Sequence, residues 1–374
     1  MSILLLKFAV TLKNEGRHGL LFHRWLPDGE KDAILLDTGD SNVQLQIWFE
    51  RRGFVNENGY VECDDKRHEV DSASIDKQAI LEAGPLMGLL EIQGLSDEEI
   101  ETLCENKIGN DNYMALAKKI VQKWLHPPIL KFLNILRIHY GQYWITEIEK
   151  WDLPKLRLGY SCYVLGLQWS LDEGKTWSDF IPERLMIVED FNDIWPSSKY
   201  TEYLTKADWQ ELGQIVREGY EPSLALHMLT NSRRALDQGN IKLAFIEGVT
   251  ALELAISDLR KSSNDKSICK FLAKRRKSKE SREPKAVKAV KSVATICKIS
   301  SKDIKHTRNA VEIRNGIVHE GKSLPIKAEI ELRGLLRTVV ALLSGTRLKF
   351  PSVNWANAVL SPEKWEKQEF GDPL

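Results

Sequence analysis

The apolar positions of this chain follow two different rhythms. Near the start, Ile3-Leu-Leu-Leu6 is followed at once by Lys7, with no basic residue ahead of the apolar run. That pattern predicts a strand, not a signal peptide. Val43-Gln-Leu45-Gln-Ile47 alternates strictly and predicts a second strand. Gly39-Asp40 and Arg52-Gly53 supply turn signals on either side of it. Ser96-Asp-Glu-Glu99 has a Ser cap with Glu three residues later, the start of a helix. Pro128 is expected to open another helix, with Ile129, Leu133, Leu136 and Tyr140 on one face. Residues 160–169 read as a further strand. The first half is therefore mixed α and β.

Beyond Pro222 the spacing becomes helical. Leu224, Met228 and Ala235 suggest a first helix. Phe245, Val249, Leu252, Ile256 and Leu259 step by four, three, four and three, which lays one apolar stripe down a second. Val287, Val290, Ala294 and Cys297 repeat the pattern after Pro284, a residue suited to a first helical turn. Ile304, Thr307 and Val311 follow a cap at Ser301 or Lys302-Asp303. A last helix from near Pro325 carries Ile330, Leu332, Leu336, Val339 and Leu343, and Gly345 ends it. Five amphipathic helices with short connections predict a bundle. The expected fold is an α+β N-terminal domain followed by an all-α helical bundle.

Length and charge sharpen this division. The 374 residues, 43% apolar, suffice for two domains with real cores. They exclude a disordered chain, a collagenous repeat and a disulfide miniprotein. The longest apolar runs, such as Val339 to Leu343, fall far short of a membrane span. Residues 1–220 hold 24 basic and 36 acidic side chains, a net of −12; residues 221–350 hold 27 and 13, a net of +14. All nine Tyr and nine of the eleven Trp lie in 1–220, and 221–350 has neither. The boundary is placed at Tyr220-Glu221-Pro222, giving domains 1–220 and 221–350 and a tail, 351–374. A basic module suggests a polyanion partner; equally, the two halves could neutralise each other across an interface.

The five cysteines, Cys63, Cys104, Cys162, Cys269 and Cys297, include no C-x-x-C pair. They read as reduced thiols of a cytoplasmic protein, with no zinc site, no other metal and no cofactor expected.

Ser170-Leu-Asp172-Glu-Gly174-Lys-Thr176-Trp177 resembles the Asp-box, S-x-D-x-G-x-T-W, a hairpin motif repeated in sialidases and found singly in unrelated folds. Asp172 can accept N–H groups across such a turn, Gly174 can take positive φ, and Trp177 can pack beneath it. One copy is present, no paired catalytic carboxylates are assigned, and the reading is a structural hairpin.

Glu312-Ile-Arg314-Asn315-Gly-Ile-Val-His319-Glu-Gly321 carries the most informative chemistry and is expected between the last two helices. Here the chain resembles the HEPN family (higher eukaryote and prokaryote nucleotide-binding domains), whose hallmark is R-x4-6-H with a polar residue often directly after the Arg. The resemblance covers residues 221–350, about a third of the chain. The bare pattern also fits Arg17 and His23, but these lie in the β-rich half. The resemblance implies a HEPN-like bundle, a homodimer in which two motifs share one cleft, and metal-independent RNA cleavage by a toxin or antiviral defence effector. Many members of the family are non-catalytic, so a scaffold that binds RNA, a nucleotide or a protein partner is the alternative. For cleavage, the RNA 2′-OH attacks the adjacent phosphate. His319 would move protons, Arg314 would hold the phosphate, and Asn315 would orient either group or the sugar. A plainer reading has Arg314 capping helix carbonyls and His319 satisfying a turn. Residues 1–220 would act as a sensor or regulatory domain.

Lys274, Arg275, Arg276, Lys277, Lys285, Lys288 and Lys291 could follow an RNA backbone. They could equally be a solvated loop and helix face. The lack of Trp and Tyr in 221–350 argues against base stacking within that module.

Overall fold

A computed structural model describes residues 3–10, 20–23, 25–51, 53–56, 59–62, 80–105, 111–142, 145, 164–180, 204–262, 283–346 and 352–353. Its contacts divide the chain into two compact units. Unit 1 comprises residues 1–134 and 144–219, and unit 2 comprises 135–143 and 220–374. The sequence reading leaves residues 135–143 in the first half; the structure counts them with unit 2. Helix periodicity cannot reveal this, because one helix continues across the division.

Unit 1 is built on an antiparallel sheet. Its strands are β1 (Ile3–Val10), β2 (Leu21–His23), β3 (Ile34–Leu36), β4 (Val43–Arg51), β5 (Gly53–Asn56), β6 (Gly59–Glu62), β7 (Ile80–Gln93), β8 (Val164–Ser170) and β9 (Ser178–Asp179). The main path runs β3-β4-β7-β1-β8-β9, with β7 in the middle. β7 pairs Gln93 to Ile3 on one side and Ile92 to Val43 on the other. Alternation fixes which face is buried: Leu4, Leu6, Phe8 and Val10 of β1 all point inward.

The helices of unit 1 are α1 (Asp97–Glu105), α2 (Asp111–Ile120), the start of α3 (His126–Ile138) and α4 (Lys206–Arg217). At the start of α1, Glu99 N–H donates to Ser96 Oγ (3.2 Å) and Ser96 N–H to Glu99 Oε2 (3.1 Å), a reciprocal cap. Trp209 of α4 packs edge-on to Phe22 and Phe132 and tilted to Phe49, and its indole N–H donates to the Asp32 carbonyl at 2.9 Å.

The helix expected to open at Pro128 in fact begins earlier. α2 passes through a π-helical stretch, Val121–Leu125, directly into α3. Pro127 and Pro128 lack N–H groups and crowd the carbonyls four residues back; the wider π turn accommodates both. Ile129, Leu133, Leu136 and Tyr140 are all buried.

The described part of unit 2 is helical: α5 (Leu224–Asp237), α6 (Ile241–Ser262), α7 (Lys285–Val293), α8 (Ser301–Glu320) and α9 (Ala328–Ser344), with the end of α3. Phe245, Val249, Leu252 and Leu259 of α6 form one core with Val287 and Val290 of α7 and with Leu332, Leu336, Val339 and Leu343 of α9. Ile138 belongs to the same core, and its carbonyl accepts the Thr230 hydroxyl of α5 at 3.0 Å. Several stripe positions differ from expectation. Ala294 and Cys297 lie beyond the end of α7, where Val293 holds the buried position. Leu224 is exposed because it is the first residue of α5, where Ala225, Leu226 and Leu229 turn inward instead. Ile330 is exposed because it lies off the inward face of α9. The cap of α8 is Ser300, whose Oγ accepts the Asp303 N–H at 3.0 Å, one residue before the expected position.

Candidate functional site

The Arg314–His319 segment lies inside α8, in its last two turns, and not in a connection between helices. Asn315-Gly316 looks like a turn in sequence. The helix nonetheless continues through Gly316, and the Lys322 side chain packs over that glycine: a Cβ there would sit 3.3 Å from Lys322 Cδ. α8 ends at Gly321, which has φ +61° and donates its N–H to the Gly316 carbonyl. The Lys322 N–H reaches the same carbonyl at 3.1 Å.

This placement sets the directions of the three side chains. Thr307, Ala310 and Val311 form the buried stripe of α8, and Arg314 is its next position. Arg314 is consequently half-buried and turned toward α6. Its Nη2 donates to Glu253 Oε1 at 3.1 Å, and its Nη1 donates to Asn315 Oδ1 at 3.2 Å. His319 lies four residues after Asn315, on the same face of the helix, and is exposed. It is five residues from Arg314, about 140° around the axis and about 7.5 Å along it. Arg314 and Asn315 are thus brought together, Asn315 and His319 share a face, and Arg314 and His319 of one chain point apart.

The bonds described for Arg314 are to side chains, not to helix carbonyls. Glu253, on α6, has no local signal in the sequence: it is 61 residues before Arg314 and flanks the apolar stripe. Only helix packing reveals the pair. The Arg314 side chain is 20% exposed and that of Glu253 57%, so the pair is not fully enclosed at the α6–α8 edge.

Of the basic residues proposed to follow RNA, Lys274, Arg275, Arg276 and Lys277 lie outside the described residues. Lys285, Lys288 and Lys291 lie on α7, whose buried positions are Val287, Val290 and Val293. Lys285 and Lys291 are exposed, and Lys288 is partly so. Lys291 Nζ pairs with Glu283 Oε1 at 2.7 Å.

The Asp172 turn joins β8 to β9 in unit 1. Asp172 Oδ1 accepts the Thr176 N–H (2.9 Å) and the Ser170 hydroxyl (2.7 Å), and Oδ2 accepts the Thr176 hydroxyl (2.5 Å). These donors, Thr176 first, hold the Asp172 carboxyl far below the usual carboxylate range. Gly174 has φ +81°, and the Trp177 ring lies against it. Lys7 Nζ sits 5.7 Å from the centre of that ring. The hydrogen bonds of Ser170, Asp172 and Thr176 named here all lie within the turn itself.

Among the described residues, no group of three or more His, Cys, Asp or Glu is placed to hold a metal ion, and no helix is long and apolar enough to cross a membrane. Comparison of the chain with protein-family models, with curated proteins and with solved structures finds no match to any of them.

Proposed function

We propose that this chain is a metal-independent endoribonuclease of the HEPN type, acting as a toxin or antiviral defence effector, with residues 1–220 as its sensor or regulatory domain. The observation that carries the reading is the end of α8. There a half-buried arginine is steadied between Asn315 and Glu253, and an exposed histidine stands one turn beyond Asn315. In the proposed reaction the 2′-OH of RNA attacks the adjacent phosphorus and the 5′-oxygen leaves, giving a 2′,3′-cyclic phosphate and a 5′-hydroxyl. His319 transfers the protons, the Arg314 fork stabilises the phosphorane charge, and Asn315 orients the guanidinium it already touches.

The divergence of Arg314 and His319 within one chain supports the second part of the proposal, a homodimer. Two α8 ends facing each other would let the arginine of one chain work beside the histidine of its partner. The test is incubation of the purified protein with total RNA in EDTA, beside His319→Ala. Cleavage by the parent and not by the variant supports the reading; equal cleavage by both, or loss of cleavage with EDTA, defeats it.

A second reading is a non-catalytic HEPN scaffold binding RNA, a nucleotide or a protein partner. The Arg314–Glu253 pair favours it, since an arginine continuing a buried stripe and paired to a neighbouring helix also serves packing. RNA retention without cleavage would select this reading.

A further inference from the structure

A second cationic centre lies on the same helix as His319. Glu283, just before α7, receives two cations on one oxygen: Lys291 Nζ of α7 at 2.7 Å and Arg308 Nη2 of α8 both engage Glu283 Oε1. Two cations held this close require an anion between them, and one carboxylate leaves the trio with a net positive charge. The Glu283 carboxyl is held below its usual range, with Lys291 the largest cause. The Lys291 and Arg308 side chains are each 42% exposed, and each carries more N–H donors than its bond to Glu283 Oε1 uses.

The position of this centre is informative. Arg308 precedes His319 by eleven residues, almost exactly three helical turns, so the two lie in line on the outward face of α8, about 16 Å apart. Lys305 and Asn315 share that face. Glu312 is there as well and is the one acid between them. Lys288 adds a cation one turn before Lys291 on α7. The line from Arg308 to His319 is the length of a few nucleotides of backbone.

We propose that Arg308 and Lys291 form a phosphate-binding subsite for single-stranded RNA, which fixes the strand a few nucleotides from His319, and that Glu283 holds the two cations together until a backbone phosphate displaces it. The inference rests on the nuclease reading for what happens at His319, but the subsite itself acts through binding alone. It adds Arg308 and Glu283 to the machinery and gives Lys291 a definite partner. A phosphate oxygen is chemically suited to the place of Glu283 Oε1, since it also accepts from an ammonium and a guanidinium at once.

The test is binding of a fluorescent single-stranded RNA, by anisotropy over a series of salt concentrations, with every protein carrying His319→Ala so that nothing is cut. Arg308→Ala and Lys291→Ala should each weaken binding several-fold at low salt. Each should also reduce the slope of log K against log salt by about 0.7, the loss of one phosphate contact on a single strand. Glu283→Gln should bind more tightly than its parent, because the competing charge is gone. Lys302→Ala, on the same helix but off this face, should change neither quantity. Circular dichroism melts of each variant identify any loss due to unfolding, and Arg308→Lys, which keeps the charge, should preserve the slope. Affinities and slopes for Arg308→Ala and Lys291→Ala equal to those of Lys302→Ala would overturn the subsite, as would a parent that binds no RNA or a Glu283→Gln that binds more weakly. Failure of the nuclease reading appears separately, as intact RNA in the presence of the wild-type chain.

Discussion

Arg314 shows how a single residue can hold two meanings. Its guanidinium is planar, permanently charged and already bonded on two sides, to Asn315 and Glu253. Such a fork is pre-oriented for a phosphate, while an ammonium in its place has no fixed plane. Arg314→Lys should therefore lose RNA cleavage in a gel assay although its charge is unchanged. His319→Ala should lower the rate by about 100- to 10,000-fold, the usual share of proton transfer, and leave RNA affinity nearly intact. A 2′-deoxy nucleotide at the cut site should block the reaction of the wild-type chain. Asp172 offers a separate test by titration. Its carboxyl is depressed in the folded hairpin by Thr176 and Ser170, so its contribution to stability is fully present above the ordinary range near pH 4 and is lost as the pH falls through the depressed value. In urea titrations the gap between wild type and Asp172→Ala should be widest near neutral pH and should narrow steadily in acid. A gap that stays constant down to strong acid would show that the side chain acts through shape alone.

At the scale of elements, α8 and α9 pack tightly enough to make one glycine essential. A Cβ on Gly334 would lie 2.3 Å from the Cβ of His306, whose Nδ1 meets Glu331 Oε2 at 2.8 Å. Deeper in the same seam, the Thr307 and Thr338 hydroxyls bond each other at 2.8 Å. Gly334→Ala must push the two helices apart or shift His306. Helix propensity alone would favour alanine, but overpacking of about 1–3 kcal/mol should dominate. Thermal unfolding followed by circular dichroism should show a lowered midpoint, and a rise would mean that the seam yields freely. The stripes of α6 and α9 were legible in the sequence because a period of 3.6 carries across many residues. The interior of α8 was not, because Asn315-Gly316 has the composition of a turn, and the Lys322 packing that accompanies the continuing helix comes from beyond its end. The fusion of α2 with α3 was hidden in the same way, since Pro128 has the character of a helix start and only the π turn shows how the chain passes through it.

At the scale of the whole molecule, cleavage by the proposed route takes two chains. Arg314 and His319 of one α8 point in directions about 140° apart, so neither can readily assist the other on one phosphate. If the cleft is composite, Arg314→Ala and His319→Ala proteins should each be inactive, and mixing them should restore part of the cleavage as mixed dimers form. Light scattering at micromolar concentration should give twice the 42.8 kDa chain mass. A monomeric mass, or a mixture that stays inactive while subunits demonstrably exchange, would rule out a composite cleft.

Much of this protein was determined locally, by the sequence alone. The Ser96–Glu99 cap and the Asp172 turn depend on partners within a few residues, and turn chemistry records such partners directly. The alternation of β1 and β4 and the helical stripes of unit 2 are periods carried by neighbouring positions, although β7, with which both strands pair, is distant in sequence. The paired residues of the candidate sites were decided only by tertiary structure. Glu253 reaches Arg314 across 61 residues, and Arg308 meets Glu283 across 25. The assignment of residues 135–143 to unit 2 likewise depends on contacts such as Thr230 with the Ile138 carbonyl, 92 residues apart. Charged side chains have no period to give them away. Which cation an acid will meet depends on how two helices pack, and that is settled by the apolar faces between them.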